Sequence, residues 1–213
     1  MSLEEATSSR SNARVRLDDE RRARRLAWGG NAWHLIEFAI ALGAGIAAGS
    51  VALVGFGADS IIEVFSGSVI AWLFSGGRGV SEDAERRARR LVAASYFALA
   101  AFIAVESLRD LIGGHHPQPS SIGIALATVT AVTMPILARA KRRVGKKLAS
   151  AATTAEAEQN QICAYLSIAL LVGLLANALF GWWWADPGAA LVIAAIATYE
   201  GTQAWSSDER SCC

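Results

Sequence analysis

Six apolar runs dominate this chain, at residues 31–49, 51–74, 91–113, 120–138, 160–184 and 188–205. Each is close to the roughly 20 residues that an α-helix needs to cross a bilayer. Lipid offers the backbone no hydrogen-bonding partner, so such runs fold as helices that satisfy their own amides. Among 213 residues, six spans leave no room for a soluble domain of ordinary size. Composition agrees, with 53% hydrophobic residues, 18% charged residues and a mean hydropathy of +0.33. The expectation is an all-α membrane protein with six transmembrane helices over residues 30–205. An Arg-rich segment, 1–29, precedes them and a short tail, 206–213, follows.

Charge distribution sets the orientation. Of the 20 Lys and Arg residues, all but Arg109 lie before Trp28, in 75–90, in 139–147 or in the tail. Six spans put these segments on one side, which the positive-inside rule assigns to the cytoplasm together with both termini. The opposite loops, around Ser50, at 113–120 and at 182–186, are short and non-basic. Because topology accounts for the Arg clusters, they do not indicate a nucleic-acid partner; their partner is the bilayer surface. The first 29 residues include acids and lack a short apolar stretch ending in small residues, so they do not read as a cleaved leader. Residues 13–26 read as a polar helix or arm at the membrane surface. Three cysteines make no disulfide framework; Cys212 and Cys213 end the chain, whereas Cys163 lies within a span.

The second span contains Asp59 and Glu63, one helical turn apart. Four residues advance about 400° and 6 Å, so both carboxylates point the same way. Charge within hydrocarbon is costly unless it is paired, hydrated or metal-bound. Two acids cannot neutralise each other, and the spans hold almost no Lys or Arg to do so. A bound cation answers that demand. In the fifth span, Glu156, Gln159, Asn160 and Cys163 share one helical face. Set against Asp59 and Glu63, their oxygen and sulfur donors would complete a cage from two helices.

Other polar groups read more simply. His34 and Glu37 share a face of the first span and are expected to pair with each other, the alternatives being a proton relay or metal binding during entry. Glu106, Arg109 and Asp110 form a helix-end ion cluster. Asn177 is placed to bond across helices, and His115 and His116 belong to a Pro-flanked loop. Gly45 and Gly49 have the spacing that lets helices pack closely. Pro135 falls inside the fourth span, where it removes a backbone donor.

The segment Ser50–Glu63, with its Gly-Phe-Gly-Ala-Asp-Ser-Ile-Ile-Glu run, resembles the second helix of the cation diffusion facilitators. That resemblance implies six transmembrane helices, cytoplasmic termini, and metal ligation by Asp59 and Glu63. The family's fifth helix carries Ala-Asp-x-x-His-x-x-x-Asp, and Ala155-Glu156-x-x-Gln159-x-x-x-Cys163 fits its spacing. Gln159 would then replace the His and Cys163 the Asp. Counting back from the Gly181–Pro187 turn moves that pair to Asn160 and Ala164; Gln159 and Cys163 are preferred because both have donor atoms. The family's terminal cytoplasmic domain has no counterpart in the eight residues after Trp205.

The functional expectation is efflux of a divalent transition metal, bound between helices two and five and exchanged for protons. Zinc is the first guess; manganese, iron or cadmium fit the same donors, and no tightly bound cofactor is expected. The resemblance implies a homodimer, which would rest on helix contacts. The rival expectation is a non-transporting scaffold or metal sensor that keeps the fold with an incomplete ligand set. An enzyme is not expected, since HExxH, nucleophile-elbow and P-loop patterns are missing.

Overall fold

Every apolar run lies on a helix, and several helices continue well beyond it. The computed structural model describes the backbone of residues 3–75, 82–148 and 151–209. Its elements are α1 (Leu3–Ala48), α2 (Val51–Ser75), α3 (Glu82–Gly113), α4 (Ser121–Leu148), α5 (Ala151–Phe180) and α6 (Ala185–Glu209). No strand occurs among the described residues. The segment 13–26 is helical and runs unbroken into the first span. Cys212, Cys213 and residues 76–81 of the 75–90 loop lie outside the described residues.

At 1.5 Å per residue, the 46 residues of α1 extend for about 69 Å, roughly twice the hydrocarbon thickness of a bilayer. By length and composition, four stretches among the described residues qualify as membrane spans: Leu17–Ala48, Arg90–Gly113, Ser121–Leu148 and Glu156–Phe180. The remaining helices, α2 and α6, have 25 residues each, which is about 37 Å of helix. Large apolar side chains such as Ile46, Ile112, Val132, Ile136, Val172 and Leu179 point outward. That arrangement suits lipid rather than water.

The helix ends explain the turns. Gly49, Gly114 and Gly181 have φ of 65°, 64° and 66°, a left-handed conformation open to glycine at little cost. They terminate α1, α3 and α5. Ser50 and Ser120 then cap the next helices, their hydroxyls accepting from the amides of Leu53 and Gly123 at 3.1 Å. Gly49 is therefore a terminator, and the close approach of α1 to α2 is made at other glycines. A Cβ on Gly45 would sit 2.9 Å from the Val54 amide nitrogen, and one on Gly57 3.2 Å from that of Leu42.

These three turns meet at one end of the bundle. Asp186 of α6 accepts from Ser50 Oγ at 2.5 Å and from the Ala52 amide at 3.5 Å, so it caps α2 from a different element. Asn177 donates to the Pro117 carbonyl at 2.8 Å, and the Gln118 amide donates to Ala48 at 2.8 Å. The His116 ring stacks on Trp183. Asn177 thus bonds to a loop rather than to a neighbouring helix. The apolar interior below is built around Leu53 and Phe56 of α2, Ile103 of α3, Leu170 and Leu174 of α5 and Ile193 of α6, all fully or nearly fully buried. Packed against α1, α3, α5 and α6, α2 is the element that carries Asp59 and Glu63 into the middle of the molecule.

Candidate metal centre

The acids of α2 meet an imidazole from α1. His34 Nδ1 lies 3.0 Å from Glu63 Oε2 and 3.1 Å from Glu37 Oε2. Its other nitrogen, Nε2, is 3.2 Å from Asn160 Nδ2 of α5. With the proton on Nδ1, the ring donates to the carboxylates and Nε2 accepts from the amide. The expected pairing of His34 with Glu37 is present, but it is half of a larger arrangement.

Glu37 is fully buried. Around its carboxylate, Ser60 donates to Oε2 at 3.0 Å and Thr130 to Oε1 at 2.5 Å. Cys163 Sγ reaches Oε2 at 3.9 Å, within range for sulfur. Helices α1, α2, α4 and α5 all converge on this carboxylate. A buried carboxylate requires such partners because nothing else replaces its lost hydration.

One ligand atom from each of His34, Glu63 and Cys163 lies within 4.8 Å of the other two, and all three residues are buried. Donors around a tetrahedral zinc lie about 3.3–3.8 Å apart, so an approach of about 1 Å would close this trio on an ion. Beside it, the Asn160 Oδ1 atom is buried without a hydrogen-bond partner, while its Nδ2 also approaches Met134 Sδ at 3.3 Å. Asn160 thus reaches the cluster, through the register that counting back from the Gly181 turn implied. Asp59, a turn away on α2, is buried within electrostatic reach of Glu63, His34, Glu37 and Glu200.

The remaining α5 candidates are occupied differently. Gln159 donates to the Tyr96 hydroxyl at 3.1 Å. Glu156 is held by Lys141 at 3.1 Å, and Lys141 is itself buried, only 4% exposed. Both residues line a polar cleft with Asn31, His34, Glu63, Lys141 and Asn160, which leads from the cluster towards the Lys141–Glu156 pair.

Along the sequence, His34 and Glu37 read as a pair, a proton relay or an entry site for metal, with no link to the α2 acids, and Glu200 and Lys141 do not stand out. The His34–Glu37 spacing in one span beside two acids in the next was the available signal. Of the expected Glu106–Arg109–Asp110 cluster, the Glu106–Arg109 pair is present at 2.5 Å.

Residues 32–207 match the cation efflux transmembrane domain. The chain belongs to the cation efflux family. Comparison with curated protein sequences gives no match. Membership places this cation efflux protein among metal-cation transporters of the membrane. The matched region takes in residues 32–48 of α1, all of α2 to α5, most of α6 and every residue of the buried cluster.

Proposed function

We propose that this cation efflux protein exports a divalent transition metal in exchange for protons, from a site shared by α1, α2 and α5. The observation that carries this reading is the buried trio of His34, Glu63 and Cys163. Asp59, Asn160 and Gln159 complete the nearby donor supply, with Glu156 at the edge of the cleft. Imidazole, thiolate and carboxylate together suit zinc or cadmium; a set reduced to carboxylate and amide oxygens suits manganese or iron(II). Zinc is the preferred cargo.

Protons enter the scheme through the donors themselves. A metal requires a deprotonated thiol, a free imidazole lone pair and ionised carboxylates, so its binding releases protons and proton binding expels it. The His34 bridge between Glu37 and Glu63 would be the arrangement that persists when the cargo has left. Rocking of packed helices would then expose the site alternately to each side, the termini lying in the cytoplasm. A homodimer would rest on helix contacts.

Proteoliposomes containing a metal-sensitive dye test the reading. Glu63→Gln and Asp59→Asn are each expected to cut zinc uptake at least about tenfold relative to the parent. Unchanged uptake in both variants would remove the site. One observation favours a second reading: the His34 bridge satisfies buried charge with no guest at all. A scaffold or sensor would bind zinc in detergent, lose that binding in Glu63→Gln, and show no flux in vesicles.

A further inference from the structure

Outside the buried cluster, positive charge gathers where α1 meets the end of α4. Arg22 of α1 and Arg139, Arg143 and Lys147 of α4 line one cleft, whose wall is completed by Ile136 and Val144. Lys147 also pairs with Asp19 at 3.5 Å, which ties the polar part of α1 to this end of α4. On α4, residues 136, 139, 143 and 147 are three or four apart and share one helical stripe. The stripe continues towards the membrane interior as Val132 and Val129. Val129, Val132 and Ile136 are 43%, 60% and 61% exposed. An apolar track open to lipid therefore runs into a basic cleft.

We propose that this α1–α4 cleft binds the headgroup of an anionic phospholipid, with an acyl chain laid along Ile136, Val132 and Val129. Arg forks match phosphate oxygens in a way that a diffuse positive surface does not. A free phosphate would use only the basic end, whereas a phospholipid uses the charge and the adjoining track together. The basic residues come from two helices whose separation the lipid would set, so the occupant also braces α1 against α4. The patch of Arg21, Arg24, Arg25 and Trp28 is lined by α1 alone and serves as an internal comparison of similar charge.

Native mass spectrometry of the whole chain, delipidated and offered equal phosphatidylglycerol and phosphatidylcholine, supplies the test. The parent is expected to retain phosphatidylglycerol preferentially. Arg139→Gln with Arg143→Gln should lower that retention about 10- to 30-fold, while Arg24→Gln with Arg25→Gln should leave it within about twofold. Equal losses in the two double variants, or none in either, would overturn the proposal. So would inorganic phosphate occupying the cleft as well as the lipid does, because the track would then contribute nothing. Matching elution profiles of the two double variants on gel filtration guard against unfolding as the cause.

Discussion

Cys163 distinguishes this site from one built only of oxygen donors. The thiol is fully buried beside Glu37 and within the His34–Glu63 trio. Cys163→Ser should weaken zinc binding about 10- to 100-fold and affect manganese much less, as read by calorimetry in detergent. Equal losses for both metals would remove sulfur from the coordination. Thr130 acts at one remove, by holding the Glu37 carboxylate that His34 also contacts. Thr130→Val should cost about 1 kcal/mol in thermal unfolding, the scale of a hydrogen bond between helices. At this scale the sequence was legible wherever spacing along one helix determines direction. Asp59 with Glu63, and His34 with Glu37, are both of that kind. The contacts of His34 with Glu63 and Asn160 are not, because they depend on how three helices are rotated about their own axes.

Between elements, glycine decides how close α1 and α2 come. The Val54 amide and side chain fill the space that a Gly45 Cβ would need, whereas nothing lies within 4 Å of such an atom on Gly43. Gly45→Ala should therefore destabilise the protein by about 1–3 kcal/mol and weaken zinc binding, with Gly43→Ala near neutral. Thermal unfolding followed by gel filtration would separate the two. Small-residue spacing in the sequence signalled close packing, yet it could not distinguish Gly45, which packs, from Gly49, which ends the helix. The burial of Lys141 was hidden for a related reason. Its basic neighbours read as a loop, but α4 continues through them, and that extra length carries Lys141 against Gly30 and Glu156.

For the whole molecule, apolar run length and the location of the basic residues made the six-helix architecture readable, because lipid leaves a chain few other solutions. Orientation is testable directly. In a background without Cys212 and Cys213, Gln118→Cys is expected to react with an impermeant thiol reagent from outside intact cells. Reaction only after the membrane is opened would invert the topology. Gln118 also belongs to the end where the turns meet. There, Ser50 to Asp186, Asn177 to Pro117 and Gln118 to Ala48 fasten the starts of α2 and α6, the ends of α1 and α5, and the loop between α3 and α4. Towards the opposite mouth, the polar cleft reaches the Lys141–Glu156 contact. In the proposed export cycle, discharge on the latched side would require several fasteners to part at once, which would make the opening of that door the slow stroke.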